Sequence, residues 1–350
     1  MKTRWLRNFL VGLLGAVVIG LGLSLFTATT ATPRFYYSIT QLGISGNLED
    51  FTWGINDAGQ VISTASARNG FYRAFVWNNG VRNGLGTLGG SNSYARDINN
   101  KGQVVGSADT RSGSERAFVW NNGTMSNLGT LGGSESSAFG INNKGQVVGK
   151  ADTSSGDSHA FVWNNGTMSD LETFGGSVSA AYGINNRGQV VGEARTSGGS
   201  SYAFVWNNGT MSELGTLGVS QSSAYGINNN GQVVGYARSR SGSVYAFLWN
   251  NGTMSNLGTL GGSYSYAFDI NNRGQVVGSA YTSSESRHAF VWRNGRMIDL
   301  NSLIPANSGW ELTEARDINN NGQIVGYGEF NGQTRDFLLT PTWVTKSGAL

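Results

Sequence analysis

The dipeptide Ile-Asn recurs through almost the whole chain at a fixed spacing. It begins at Ile55, Ile98, Ile141, Ile184, Ile227, Ile270 and Ile318. Successive copies are 43 residues apart, except for a last step of 48 that carries an insertion within residues 303–310. A period of this length is typical of repeat architectures, in which each unit buries its apolar faces against its neighbours.

Each unit divides into four short apolar runs separated by three turn signals. In the unit around Ile141 the runs are A (Ala138–Asn142), B (Gln146–Ala151), C (Ala160–Trp163) and D (Met168–Leu171). The segments between them are rich in Asn, Gly and Ser, and Asn and Gly supply the positive φ angles that tight hairpins need. The runs themselves are rich in Val, Ile, Phe and Trp, which favours strands over helices.

Run C is apolar on both faces, with Ala160 and Val162 on one and Phe161 and Trp163 on the other. A strand of this kind belongs to a sheet that is packed between two other sheets. The sequence therefore predicts an all-β fold, a seven-bladed β-propeller of four-stranded antiparallel blades over residues 32–343. An open β-solenoid is the alternative.

The two ends of the repeat region are out of phase with the repeat. Tyr36–Leu42 matches run D, whereas the strand near Phe337–Leu339 matches run C and is not followed by a run D. If these two strands pair, every blade has four strands and no edge stays exposed. We therefore expect the N-terminal strand to close the ring on the last blade. An open solenoid would instead need polar capping repeats.

Residues 1–31 have the features of a signal peptide or an N-terminal membrane anchor. Lys2, Arg4 and Arg7 form a positive start, an apolar stretch follows, and residues 27–31 are small enough for a signal peptidase to cut. The apolar stretch is also long enough for an uncleaved anchor over residues 9–28. Under both interpretations the repeats are exported, either to the periplasm or outside the cell. Residues 344–350 form a short tail.

The repeats carry no net charge, because the three cations of residues 1–31 account for the whole formal charge of +3. A neutral body lacks the electrostatic footprint of a nucleic-acid-binding protein. The absence of cysteine excludes disulfides and thiolate metal sites. We therefore expect no nucleic-acid partner, membrane contact only through the N-terminal segment, and a monomer.

A short signature connects the repeats to a known family. His-Ala-Phe stands at His159–Phe161 and at His288–Phe290, and Leu-Gly-Thr-Leu-Gly-Gly recurs at 85–90, 128–133 and 257–262. In these motifs, and in Ile-Asn-x-x-Gly-Gln-Val-Val-Gly, the chain resembles the HAF family of extracellular repeats over residues 36–343. The resemblance implies an exported bacterial repeat protein and supplies no catalytic residue.

The two histidines of the chain, His159 and His288, occupy the same repeat position just before run C. In the other units this position holds Arg73, Arg116, Tyr202, Tyr245 and Arg335. A metal ligand or a catalytic base would not be interchangeable with arginine. We interpret both histidines as structural polar residues at a strand entrance.

Three other motifs have structural explanations in the repeat. Asp97–Gly102 resembles a calcium loop, but Lys101 stands where a ligand is needed, so we interpret it as a hairpin turn. The sequons that begin at Asn122 and its equivalents coincide with the C–D turn. Gly-Gly-Ser after run D lacks the lysine of a phosphate loop, and we interpret it as a connecting loop.

Two classes of function remain after these exclusions. The first is a non-catalytic binding or scaffolding module at the cell envelope or outside the cell, for a polysaccharide or a protein. The B–C loops vary between units and are the expected binding face, and Tyr94, Tyr264 and Tyr266 could stack on sugars. The second is an envelope hydrolase or lyase with a site at the channel mouth. The sequence leaves enzyme activity open but favours the binding module, and it assigns no catalytic residue, metal ligand, binding residue or cofactor.

Overall fold

The computed structural model describes residues 34–43, 50–66 and 70–344 of the 350-residue chain. The proposed leader (1–31) and most of the proposed tail lie outside the described residues. Most of the described residues lie in β-strands. In the first half, the strands are β1 (Arg34–Leu42), β2 (Asp50–Ile55), β3 (Val61–Ser66), β4 (Tyr72–Asn78), β5 (Val81–Gly84), β6 (Gly89–Ile98), β7 (Val104–Thr110), β8 (Glu115–Asn121), β9 (Thr124–Asn127), β10 (Gly132–Ile141), β11 (Val147–Thr153), β12 (Ser158–Asn164) and β13 (Thr167–Asp170).

The second half continues the same pattern, interrupted by one 3-10 helix at Leu300–Leu303. Its strands are β14 (Gly175–Ile184), β15 (Val190–Thr196), β16 (Ser201–Asn207), β17 (Thr210–Glu213), β18 (Gly218–Ile227), β19 (Val233–Ser239), β20 (Val244–Asn250), β21 (Thr253–Asn256), β22 (Gly261–Ile270), β23 (Val276–Thr282), β24 (Arg287–Arg293), β25 (Arg296–Asp299), β26 (Trp310–Ile318), β27 (Ile324–Phe330) and β28 (Gln333–Val344). No helix among the described residues is long and apolar enough to cross a bilayer.

The strands pair in antiparallel groups of four, each made from one A, B, C and D strand. The groups are β2–β5, β6–β9, β10–β13, β14–β17, β18–β21, β22–β25, and β26–β28 with β1. Single parallel pairs, such as Ser158 with Val178, join some neighbouring groups edge to edge. The predicted all-β fold of four-stranded antiparallel sheets is confirmed.

The core lies between neighbouring groups. Phe161 of β12 packs towards the preceding group, in one cluster with Val105 and Ala117. Ala160, on the opposite face of the same strand, packs towards the following group, in a cluster with Phe204. Burial of each large apolar side chain contributes about 1.5–3 kcal/mol. A group in isolation would expose both of these faces to water.

The A strands are longer than the sequence suggested. In the unit around Ile141, strand A begins at Gly132 rather than at Ala138, so the Gly-Gly-Ser segment belongs to the strand and is not a connecting loop. Gly132 has a φ of 104°. A Cβ on Gly133 would lie 2.6 Å from the carbonyl oxygen of Thr153. These glycines allow two backbones to approach more closely than side chains permit, and apolar patterning does not report that requirement.

The first asparagine of every A–B turn links two neighbouring groups. Its Nδ2 donates to the backbone carbonyl of the equivalent asparagine in the next group, over 3.0–3.1 Å. These residues are Asn56, Asn99, Asn142, Asn185, Asn228, Asn271 and Asn319, and the series returns from Asn319 to Asn56. We call them the asparagine belt.

Each belt asparagine also holds its own turn together. Oδ1 of Asn142 accepts hydrogen bonds from the backbone N–H groups of Lys144 and Gln146, both at 3.0 Å. Nδ2 of the same residue donates to Oε1 of Gln146 at 2.8 Å. The buried amide is therefore fully satisfied. Removing it would strand several buried polar groups, each at a cost of about 1–3 kcal/mol.

A second series of hydrogen bonds runs beside the belt. The backbone N–H of Asn143 donates to Oδ1 of Asn186 at 2.9 Å, and the same bond recurs between the other neighbouring groups. In the first group Asp57 replaces the asparagine, and its carboxylate accepts from the backbone N–H of Asn320 at 2.8 Å.

Strand β1 pairs with β28 along its whole length, with Ile39 opposite Leu339, which is the pairing that the sequence predicted. Tyr37 is fully buried in the core of this group, together with Phe337. The insertion before β26 packs on the same core through Leu303, Ile304 and Trp310. The hydroxyl of Thr52 in the first group donates to Oδ2 of Asp336 at 2.6 Å.

Deleting residues 32–46 should destabilise the fold, because it removes the partner of β28 and exposes the apolar surface that β1 covers. Tyr37 and Leu42 are both buried, so we expect a loss of several kcal/mol together with aggregation through the open edge. The measurements are the thermal midpoint and light scattering, with deletion of residues 345–350 as the control. A truncated chain as stable and as soluble as the parent would refute the role given to β1.

Candidate functional site: the axial channel

Each A strand contributes one residue to a shared cavity, which we call the channel, through a β-bulge. In β6 the pairing with β7 shifts register between Ala95 and Asp97, which leaves Arg96 as the extra residue. The same shift occurs at the equivalent place in the other A strands. Bulges re-aim side chains in this way and are common beside functional sites.

The bulge residues form a ring around a cavity of about 310 Å³. They are Trp53, Arg96, Phe139, Tyr182, Tyr225, Phe268 and Arg316. All seven are half-buried, so they line the channel and keep access to solvent. We call this set the channel ring. The repeat pattern alone did not predict this set, although these residues vary in type close to an invariant Ile-Asn.

Four members of the ring form a continuous aromatic arc. The ring centroids of Phe139 and Tyr182 are 5.5 Å apart, those of Tyr182 and Tyr225 are 5.2 Å apart, and those of Tyr225 and Phe268 are 5.9 Å apart. Tyr236 of β19 extends the arc, 5.8 Å from Tyr225. Half-buried aromatic surface of this kind suits a ligand with an apolar face.

The remaining part of the ring is cationic. The guanidinium carbons of Arg96 and Arg316 lie 4.3 Å and 4.7 Å from the Trp53 ring centroid. Arg316 is also engaged by an ion pair with Glu314, by the hydroxyl of Tyr327 at 3.5 Å and by the ring of Phe268. The two arginines have the same position in their repeats but differ in their partners.

Arg96 has no hydrogen-bond acceptor among the described residues. Its contacts are the stacking on Trp53 and longer-range interactions with Glu115 and Arg316. Burial lowers the pKa of Arg96, the charge of Glu115 raises it, and the nearby Arg316 lowers it. A guanidinium carries five N–H donors, and Arg96 lines the cavity of about 310 Å³.

One acidic side chain approaches the aromatic arc. The hydroxyl of Tyr182 donates to Oε1 of Glu193 at 3.0 Å. Burial, together with the charge of Glu193, raises the pKa of Tyr182 well above its ordinary value. This phenol is therefore a neutral hydrogen-bonding group at any ordinary pH, and Glu193 is an acceptor at the edge of the arc.

Three carboxyl groups lie one residue further along the A strands, where the other four repeats have glycine. Asp97 accepts hydrogen bonds from the N–H groups of Ile98 at 2.7 Å and of Ile141 at 2.8 Å. Asp317 accepts from those of Ile318 at 2.6 Å and Ile55 at 2.7 Å. These carboxyl oxygens bridge the backbones of neighbouring groups.

The third of these carboxyls, Asp269, accepts from the N–H of Ile318 at 3.2 Å. Burial raises the pKa of Asp97 to about 7. Burial and the neighbouring Asp269 raise the pKa of Asp317 well above its ordinary value. The three line a cavity of about 170 Å³ below the channel ring. The asparagine belt surrounds a further cavity of about 170 Å³ at the end of the channel.

The residues singled out in the sequence are distributed as follows. Nδ1 of His159 lies 2.8 Å from Oδ2 of Asp170 on β13, and His288 makes the equivalent contact with Asp299 at 2.6 Å, so each histidine links strands C and D of its group. Within the part of the chain that the structure describes, no group of three His, Cys, Asp or Glu side chains could hold a metal ion.

The predicted aromatic candidates occupy different places. Tyr266 packs against Tyr236 with centroids 5.4 Å apart and so borders the arc. Tyr94 stacks on Tyr72 at 5.5 Å, and Tyr264, 39% exposed, meets Tyr281 at 5.7 Å. None of these three belongs to the channel ring.

The turns and loops are internally satisfied. In the C–D turn, Asn122 and Gly123 have φ angles of 47° and 88°, which matches the turn interpretation of the sequon. In the B–C loop of the same group, the N–H of Thr110 donates to the carbonyl of Ser114 at 2.9 Å. The predicted role of these loops in binding stays a prediction, since the three axial cavities are lined by A-strand and A–B turn residues.

The comparisons with solved structures identify the fold. The β-propeller domain of the Trilobed protease from Pyrococcus furiosus, which has an open velcro topology, matches with a TM-score of 0.56 and 10% identity over 85% of this chain and 100% of that chain. The acylaminoacyl peptidase of Pyrococcus horikoshii matches with a TM-score of 0.53 and 11% identity, over 84% of this chain and 52% of that chain.

A third structure, the puromycin-hydrolyzing peptidase of Mycobacterium tuberculosis, matches with a TM-score of 0.54 and 10% identity, over 81% of this chain and 49% of that chain. The present chain thus spans about half the length of the two peptidases. At these identities the similarity shows a propeller-like fold and nothing about activity.

The comparisons with sequences are narrower. A family profile described as a protein of unknown function (DUF3466) matches residues 195–315, about a third of the chain. No curated protein matches significantly.

Replacing Asp97 with glycine, the residue of four other repeats, tests the buried carboxyl. Because its pKa is higher in the folded chain than its ordinary 3.8, its contribution to stability is fully present below about pH 4 and is lost as the pH rises to about 7. We therefore expect the thermal midpoint of the parent, relative to that of Asp97→Gly, to fall over this range. A difference between the two thermal midpoints that stays constant from pH 4 to pH 8 would contradict the raised pKa of Asp97.

Proposed function

We propose that the chain is a seven-bladed propeller closed into a ring, and that it acts as an exported, non-catalytic binding module whose ligand enters the channel ring. Two features support the closed ring. The belt series returns from Asn319 to Asn56, and β1 completes the last group by pairing with β28. A closed ring would place the seven bulge residues around one axis.

The single observation that carries the binding function is the composition of the channel ring. The position before the bulge is alanine in six of the seven repeats, whereas the bulge position holds five aromatic residues and two arginines around one cavity. Concave aromatic surface with a few polar groups is typical of small-ligand sites.

The hydrogen bonds of the acidic groups support a binding function over a catalytic one. General acid–base chemistry needs a carboxyl that can reach a substrate proton. The oxygens of Asp97 and Asp317 are instead occupied by backbone N–H groups, and Glu193 accepts from Tyr182. The two histidines of the chain lie on C strands and are paired with aspartates of D strands.

Export is proposed from residues 1–31 and from the resemblance to HAF repeats. Positive charge followed by an apolar stretch and small residues is the pattern of a secretory signal. Fractionation of a bacterial host that expresses the chain tests this, since retention in the cytoplasm would contradict it.

Glycan and peptide arrays probed with the purified chain test the binding function, and variants locate the site. We expect the double variant Tyr182→Ser, Phe268→Ser to weaken binding of any array ligand by at least about tenfold, because it breaks the aromatic arc. Tyr202→Ser, on a C strand outside the channel ring, is the matched control.

Replacing the B–C loops at 111–114, 197–200 and 240–243 with Gly-Ser segments separates the channel from the loop face, because these ranges leave every strand intact. Binding that survives this replacement but not the double variant supports the channel ring. Binding that is lost with the loops and retained in the double variant would overturn it.

A further inference from the structure

The strongest unexplained feature of the channel is the guanidinium of Arg96. It is stacked on Trp53, half-buried and without a hydrogen-bond acceptor among the described residues. The equivalent arginine, Arg316, has an ion pair and a phenol hydroxyl. A guanidinium that lines a cavity and has no acceptor from its own chain is available to pair with an anionic group.

The ion pairs near Arg96 leave it available to an anion. Glu314 is shared by two other cations, Arg287 and Arg316, and the charge of Glu115 acts on Arg96 without a hydrogen bond between them. The Arg96 guanidinium lies over the Trp53 ring, an arrangement in which it can still form a bidentate contact with a carboxylate.

The aromatic side of the channel ring restricts what the anion is attached to. Phe139, Tyr182, Tyr225 and Phe268 form the arc, and Glu193 offers an acceptor at its edge. A pyranose ring fits such a wall, since its C–H face packs on aromatic rings while its hydroxyl groups meet phenols and a carboxylate. The cavity of about 310 Å³ is at the small end of ligand sites, which suits one or two sugar rings.

We propose that the channel ring binds a hexuronate, a sugar whose carboxylate pairs with Arg96 and whose ring packs on the aromatic arc, as found in acidic polysaccharides. This rests on the proposed function and names its ligand class. A peptide C terminus also carries a carboxylate, but it has no ring with a C–H face to pack on the aromatic arc. The acidic sugar is therefore the better match.

The test compares digalacturonate with its methyl ester by isothermal titration calorimetry, using the full chain. The ester keeps the sugar rings and removes the charge. We expect the acid to bind and the ester to bind about ten- to a hundredfold more weakly, because a hydrogen-bonded charge pair is lost. Affinity for the acid should also fall with added salt.

Two variants and a control assign the effect to Arg96. Arg96→Gln should weaken binding of the acid about ten- to a hundredfold and leave the affinity for the ester unchanged. Arg96→Phe, which introduces the residue of the next repeat, is a second variant that the scaffold already accommodates. Arg187→Gln, in an exposed A–B turn at the belt end of the channel, should have no effect.

Three results would overturn the hexuronate proposal: equal affinities for acid and ester, unchanged affinity in both Arg96 variants, or binding of peptides with a free C terminus but not of digalacturonate. If neutral glycans or peptides bind and the arc variants abolish that binding, only the ligand class is wrong. If nothing on the arrays binds through the channel ring, the proposed function itself fails.

Discussion

The structure depends on one hydrogen-bonded side chain, the belt asparagine that is repeated in every A–B turn. A single buried amide closes its own turn and reaches the backbone of the next group. No other side chain has two donors and an acceptor at this reach without carrying charge. Each amide is satisfied only when the next group is in place, so the groups stabilise one another. The same hydrogen bonds set the spacing between neighbouring A strands.

The belt also explains how a repetitive chain makes one asymmetric site. The belt and the interleaved Phe and Ala of the C strands use nearly constant residues and fix the backbone. The bulge residue, three positions before each belt asparagine, then places in the channel the side chain that its repeat has at that position. Trp53, Arg96 and Tyr182 therefore occupy equivalent positions and create different chemistry, so the scaffold and the site vary independently.

Much of the fold could be predicted from the sequence, and the candidate site could not. The 43-residue period, the Asn-Gly turns and the offset between Tyr36–Leu42 and the last C strand are local or periodic signals, and they predicted the strands and the β1–β28 pairing. The long A strand was missed because Gly132 and Gly133 act through backbone proximity, which leaves no apolar pattern.

The belt was interpreted only as turn chemistry, although a signal was present. In these turns the positive φ belongs to glycine, such as Gly145, so nothing in the backbone of Asn142 requires an asparagine. Its presence in all seven copies indicates a role for the side chain. The channel ring was missed because the bulge interrupts the alternation of faces, and a strict period of two then assigns the wrong side to residue 139.

Amide hydrogen exchange tests the central claim, a ring held together by the belt, most directly. The amides of Gln60, Gln189 and Gln323 donate to belt asparagines in the first, a middle and the last group. In a closed ring no group is terminal, and the account predicts similar protection for all three. In an open stack the end groups fray, so much faster exchange at Gln60 and Gln323 than at Gln189 would contradict it.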